Sequence, residues 1–461
     1  MRSTILSEMM RCAAALLAVL ALQACSSDSL EYEGQTGVPT PARMDAWVPS
    51  VDVSVDGAAP GSFLVDTGAA VSALSRDTAE RLGIPLQENY SYVEGLGGRS
   101  AYARGVVSEL RFGDVTVPDV EFAVGVRGVP ENAWFMPLDG ILGNNVWSRF
   151  VLEVDYPADT LVLHRPGTVK ALRKATPMFF DGSHVFVPIG ITTDSDPPYS
   201  DDIILQVDTG AGELLLSGAS GRPFEQSYTE GVEPIYGIGA SEFMPASMFL
   251  QKTRRIPVSE VDLGGRTVEP HFEAKWMNFD SERMVGPTGM RGLIGHELMA
   301  DHRVFFDYHG GGFKLAKSRR KKRLLNGHEV LLEQDLGRYG EGDTARDMYR
   351  AKMRFAMGEY EQATAHLESY VANHPDDAEG RVLLANVRRA DSDLEGAWQA
   401  LDTVTPAQLV DEGEIVAAVN GLLLEDRADE ALDLADAAVG AEDEAGGVIH
   451  RAAVAEQDPR A

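Results

Sequence analysis

The chain has 461 residues, 44% of them hydrophobic, which is enough for two or three domains with buried cores and excludes disorder throughout. A formal net charge of -30 at pH 7 excludes nucleic acid and an anionic membrane surface as electrostatic partners, because a strongly negative field repels both.

Residues 1–24 read as a targeting segment that stands outside the folded protein. The apolar run 13–22 is too short to span a bilayer. It leads into Leu22-Gln23-Ala24-Cys25, which resembles the lipobox of bacterial lipoproteins, whose cysteine is lipidated and becomes the new amino terminus. Glu8 is out of place in a region expected to be basic, and a start at Met9 or Met10 gives a shorter signal. Cys12 falls inside that signal, so the mature chain keeps Cys25 alone and forms no internal disulfide. The plain alternative is an ordinary thiol in an uncleaved anchor. Ser26, by resemblance to enteric lipoproteins, suits outer-membrane sorting, with residues 25–40 as a polar tether. The expected address is the bacterial cell envelope, lipid-anchored at Cys25 in the outer membrane and facing the periplasm.

Alternating Val51, Val53 and Val55 predict a strand that turns at Gly57 into Phe63-Leu64-Val65. There the chain reads Asp66-Thr67-Gly68-Ala69, and 142 residues later it reads Asp208-Thr209-Gly210-Ala211 after the apolar run 203–207. At the same offset Gly95-Leu96-Gly97 matches Gly237-Ile238-Gly239. Further on the offset grows to 151 or 152: Gly113 matches Gly264, Ile141-Leu142-Gly143 matches Leu293-Ile294-Gly295, and Asp155-Tyr156 matches Asp307-Tyr308. The chain therefore contains two copies of one lobe, 41–170 and 171–317. Strand-like runs at 106–112, 120–126, 150–154 and 161–164, separated by Gly, Pro and Asp, predict an all-β region. One short helix follows Ser75 as a possible cap.

The duplicated Asp-Thr-Gly-Ala, the glycine-rich hairpin and the two hydrophobics before a glycine resemble the retropepsin-type aspartic proteases over about 41–317. That resemblance implies a bilobal acid-protease fold, two β lobes related by a pseudo-twofold axis, with Asp66 and Asp208 as catalytic carboxylates. Two carboxylates held this close share one proton, so one draws a proton from a water while the other donates to the scissile carbonyl oxygen. Neither metal nor cofactor is required, and no homodimer is needed to complete the site. By the same resemblance Thr67 and Thr209 lock the two loops through their hydroxyls, while Gly68 and Gly210 let backbone amides approach the carboxylates. Ala69 and Ala211 stand where pepsin-like enzymes carry a hydroxyl. Losing that donor is expected to raise the pair and extend activity toward neutral pH. Gly95, Leu96, Gly97 and Gly98 resemble a flap tip, partnered by Gly237, Ile238 and Gly239, and a plain glycine turn is the alternative.

His296-Glu297 with His302 has a superficial zinc-helix look, but the two histidines are six apart and share no helical face. The position matching His296 is Asn144, and both read as scaffold. Tyr92 and Tyr236 lie beside the flap candidates, as packing or as substrate contacts. The basic run 318–323 opens a solvated linker, 318–340.

Beyond Gly340 the periodicity becomes helical. Gly358, Tyr360, Ala363, Leu367 and Pro375 resemble the second helix of a tetratricopeptide repeat. Two series recur every 34 residues, Ala363 with Ala397 and Ala431, and Tyr360 with Leu394 and Ala428. Residues 341–461 are thus expected to form about three such repeats, with generic helical hairpins as the alternative, and to offer a face to a protein partner. The sequence reads as an envelope aspartic endopeptidase acting on proteins or peptides. The competing reading is a non-catalytic lipoprotein that uses the same fold as a peptide-binding or assembly scaffold.

Overall fold

The structure, a computed structural model, describes residues 32–318 and 344–404 apart from 47, 96–97, 127–131, 134–135, 173, 195–197, 218–228, 237–247, 264–266, 269–272, 278–289, 357 and 402–403. Cys25, the flap-tip residues Leu96, Gly97, Gly237, Ile238 and Gly239, the matched Gly264, the basic residues 319–323 and the third repeat with Ala428 and Ala431 lie outside the described residues.

The first lobe begins with β1 (Pro39–Ala46), β2 (Val48–Val55) and β3 (Gly61–Val65). Strand β2 buries Val51, Val53 and Val55 and exposes Asp52, as its alternation predicts. The turn into β3 places Asp56 and Gly57 at positive φ, the backbone that a two-residue hairpin turn demands. Next come β4 (Ser72–Leu74), α1 (Arg76–Arg81), β5 (Leu86–Gly95), β6 (Gly98–Phe112) and β7 (Val115–Val124). Ser75 caps α1 by accepting from the Thr78 amide. The lobe closes with β8 (Gly140–Leu142), α2 (Asn144–Trp147), β9 (Val151–Asp155) and β10 (Thr160–His164). Trp147 is fully buried and its indole N–H donates to the Leu142 carbonyl at 2.7 Å, fixing α2 behind β8.

The second lobe follows the same path through β11 (Val185–Thr193), β12 (Ser200–Val207), β13 (Leu214–Ser217), β14 (Thr229–Tyr236), β15 (Met248–Asp262), β16 (Glu273–Met277), β17 (Met290–Ile294), α3 (His296–Met299), β18 (His302–Asp307) and β19 (Gly312–Lys317). The pairings repeat strand for strand. In the first lobe β3 runs parallel to β8, β8 antiparallel to β4, and β4 parallel to β7. In the second β12 runs parallel to β17, β17 antiparallel to β13, and β13 parallel to β16. The duplication is thus present in topology as well as in motif. Strands β9 and β18 pair antiparallel, so both lobes contribute to one shared sheet, and one continuous apolar core holds side chains from each.

Among the described residues four helices follow: α4 (Thr344–Ala356), α5 (Tyr360–Asn373), α6 (Ala378–Ala390) and α7 (Leu394–Leu401), each packed on the next. Gly358 takes positive φ between α4 and α5. Ala363 and Ala397 are fully buried, so the alanine series marks close helix approach. The Tyr360 series does not behave the same way. Leu394 opens α7 and is 52% exposed, because the Cα–Cβ bond tilts toward the helix amino terminus and at the first position no turn of the helix lies there to cover it.

Candidate active site

Asp66 and Asp208 each follow the last residue of a strand that is buried on both faces, β3 and β12. Each loop is tied to the strand beside it: the Asp66 amide donates to the Leu142 carbonyl at 3.0 Å and the Asp208 amide to the Ile294 carbonyl at 2.9 Å. This gives the two hydrophobic-hydrophobic-glycine segments their role, since each holds one aspartate loop from behind.

The two loops interlock through their threonines, which are both fully buried. The Thr67 hydroxyl donates to the Val207 carbonyl at 2.9 Å, and the Thr209 hydroxyl donates to the Val65 carbonyl at 2.5 Å. In return the Thr67 amide donates to the Thr209 hydroxyl oxygen at 3.0 Å, and the Thr209 amide to that of Thr67 at 3.1 Å. Four reciprocal bonds across the axis leave no freedom for one loop to slide past the other.

The two carboxyls reach into each other's loops, Asp208 against Gly68 and Asp66 against Gly210, and act on one another electrostatically. Asp66 is buried and Asp208 half-buried. The Gly68 and Ala69 amides donate to Oδ1 of Asp66 at 2.7 and 3.0 Å, and the Gly210 amide donates to Oδ1 of Asp208 at 2.7 Å. Both carboxyls lie above the ordinary carboxylate range. Burial is the largest cause in each, and for Asp66 the charge of Asp208 adds to it. The backbone amides pull the other way and lose.

The glycines do more than bring amides close. A Cβ on Gly210 lies 2.7 Å from Cγ of Asp66, and one on Gly68 overlaps the Asp208 carboxyl. Each glycine makes room for the opposite aspartate. Gly68→Ala is accordingly expected to push the carboxyls apart and lower kcat by about a hundredfold, read in steady-state hydrolysis of a peptide.

Two tyrosines belong to the site that the motifs did not mark. Asn144 donates from Nδ2 to the Thr67 carbonyl at 2.8 Å and the Ser183 carbonyl at 2.7 Å, and accepts from the Tyr308 hydroxyl at 2.7 Å. Burial and the Asp66 charge both raise Tyr308, which stays a neutral donor. The equivalent pair on the other side of the axis is His296 and Tyr156, with ring centroids 5.3 Å apart and edge-on. There Nδ1 of His296 and the Tyr156 hydroxyl are buried with no hydrogen-bond partner among the described residues. Burial pulls His296 down to about 3, so it is neutral through the working range. The repeated Asp155-Tyr156 and Asp307-Tyr308 pairs were the available sequence signal. His302 lies in β18, not on the helix of His296, and among the described residues no group of three or more His, Cys, Asp or Glu could hold a metal.

His296→Asn is expected to copy the Asn144 arrangement and stabilise the protein by about 1 kcal/mol at pH 7. The gain grows on acidification. A histidine depressed in the fold contributes stability above its unfolded value, near 6.5, and that contribution is lost as pH falls toward 3. Urea unfolding at pH 7 and pH 4.5 measures both expectations.

Tyr92 is exposed on β5, and β14 ends at Tyr236. Gly95 and Gly98 pair at the described end of the β5–β6 hairpin, and β14–β15 forms the matching hairpin of the second lobe. Residues 51–146 match the protein-family model described as aspartyl protease. The chain is similar to the aspartic proteinase of Irpex lacteus, at 15% sequence identity and a TM-score of 0.42, over 61% of this chain and 97% of that one. No curated protein matches it.

Proposed function

We propose that the protein is an aspartic endopeptidase that hydrolyses peptide bonds with a water activated by Asp66 and Asp208. The observation that carries this reading is the close pair of carboxyls, Asp66 buried and Asp208 half-buried, supplied by two interlocked Asp-Thr-Gly loops of one chain. Both carboxyls are raised, so the pair holds its shared proton to higher pH than an isolated carboxyl would. The ionised member then serves as base toward the water and the protonated member as acid toward the carbonyl oxygen, without a covalent intermediate. The match of 51–146 to an aspartyl protease family supports the same class of chemistry.

In this proposal the chain is lipid-anchored through Cys25 in a bacterial envelope, and its substrates are proteins or peptides there. The helices from α4 onward act as tetratricopeptide-like repeats that engage a protein partner. Cleavage of a peptide mixture in H₂¹⁸O, followed by mass spectrometry, tests the chemistry. One ¹⁸O in each new carboxyl group, with pepstatin inhibiting, is the expected result. Absence of new termini from an intact, folded, unblocked protein overturns it.

A further inference from the structure

The apolar face of lobe 1 that borders the dyad is already covered, and the cover comes from the far end of the same chain. Tyr349 and Met353 stand one turn apart on one face of α4, and they are 6% and 0% exposed. They pack in one cluster with Leu64 of β3 and Ile141 of β8. Phe63 and Val65, the sequence neighbours of Leu64, point instead into the main core, so this cluster lies on the opposite face of the strand. Partly buried against the same cluster are Ala69 and Val71 of the Asp66 loop, and Val93 and Tyr102 of the β5–β6 hairpin. The Ala69 amide is itself a donor to the Asp66 carboxyl. An apolar cluster bounded by the aspartate loop on one side and the hairpin on the other is where a substrate residue next to the scissile bond must lie, and the two α4 residues are part of it. On the other side, β14 of the second hairpin lies against both α4 and α6.

We propose that α4 is a built-in occupant of the substrate cleft. Tyr349 and Met353 fill an apolar side-chain subsite beside Asp66, and peptides enter only when the helix withdraws. This rests on the peptidase reading for its consequence, although the occupancy itself does not. The occupant also shows what the subsite accepts: a large apolar or aromatic side chain, the kind the two α4 residues supply. The helix escapes hydrolysis because its carbonyls are held in i to i-4 hydrogen bonds, whereas a substrate must lie extended to present a carbonyl to the dyad.

An occupant of this kind competes with substrate, so it raises KM and leaves kcat alone; the apparent affinity falls by the fraction of time the cleft is open. The test uses the full chain as wild type, as the double variant Tyr349→Ala/Met353→Ala, and as Met353→Leu, which keeps the apolar fill. The probes are a fluorogenic peptide with large apolar residues flanking the scissile bond, and pepstatin. For the double variant the expected result is KM and the pepstatin Kd both lowered by about tenfold, with kcat unchanged and Met353→Leu like wild type, as for a cleft open about a tenth of the time. In the wild type, pepstatin is expected to speed backbone hydrogen exchange across 344–356. Equal KM and Kd in all three forms, with exchange across 344–356 unaltered by pepstatin, overturns the proposal. If no form cleaves while the double variant binds pepstatin more tightly, the occupant stands and the peptidase reading falls. If all cleave with equal KM, the reverse holds. Should the double variant fail to fold by circular dichroism, the exchange measurement on the wild type decides.

Discussion

Asp66→Asn and Asp208→Asn are each expected to lower kcat by about a thousandfold or more while changing KM little, in the peptide cleavage assay. Either amide removes a proton-transfer partner that no neighbour can replace. Besides Asp208, the groups that meet the Asp66 carboxyl are the amides of Gly68 and Ala69, which only donate, and the hydroxyl of Thr67 is committed to Val207. The two losses do not add, because the carboxyls act as a unit on one proton, and the double variant is expected to match the singles. The same substitutions carry a stability signature. A carboxyl raised by burial contributes stability below its unfolded pKa, and that contribution is lost as pH rises through the folded value. An asparagine has no such loss, so Asp66→Asn is expected to be more stable relative to wild type at pH 7 than at pH 3. An inactive variant that is also a sturdier protein separates the dyad from a merely structural pair. Wild type and both single variants equally inert, yet capturing the same partner, would put the scaffold reading in first place.

Thr67→Val is expected to cost about 2–5 kcal/mol and most of the activity, with Thr67→Ser close to wild type in both. Valine keeps the shape of threonine and deletes one oxygen. That oxygen both donates to the Val207 carbonyl and accepts from the Thr209 amide, so two buried backbone groups lose their partner at once. The cost is therefore that of unsatisfied groups, larger than that of the hydrogen bonds as such. Thr209→Val is expected to behave alike, since the Thr209 hydroxyl serves Val65 and the Thr67 amide. Denaturant unfolding gives the stabilities, and the serine variant separates loss of the hydroxyl from loss of packing.

Much of 41–317 was legible because the chain states it twice. One Asp-Thr-Gly is a weak signal, but Gly113, Ile141-Leu142-Gly143 and Asp155-Tyr156 recur in order, and matched order implies matched topology. The strand pairings bear that out for β3, β8, β4 and β7 against β12, β17, β13 and β16. What periodicity could not convey was which matched residues meet across the axis. Tyr156 and Tyr308 read as end-of-strand landmarks, yet Tyr308 reaches Asn144, 164 positions away, through a shared sheet that exists only when both lobes are folded. Nor could the second role of Gly68, making room for a carboxyl, be read, since it is set by the approach of Asp208 from the other lobe. In α4 the opposite happened. Tyr349 and Met353 carry an ordinary amphipathic pattern, and such a pattern names an apolar face without naming what it faces. The raised carboxyls agree in direction with what Ala69 and Ala211 led one to expect, but burial, the largest cause, has no local sequence signature.

Having both lobes in one chain has a consequence for how a peptide can lie in the cleft. A site made from two identical subunits presents the same groups on either side of its axis, so a bound peptide meets equivalent surroundings whether it runs one way or the other. Here the sides differ: Asn144 faces His296 in the pattern, and Leu64 faces Gln206, whose side-chain amide donates to the Gly68 carbonyl at 3.2 Å. A polypeptide is itself directional, with amides and carbonyls in fixed order, and a cleft with unlike halves can favour one polarity over its reverse. Covalent linkage is what allowed the halves to become unlike.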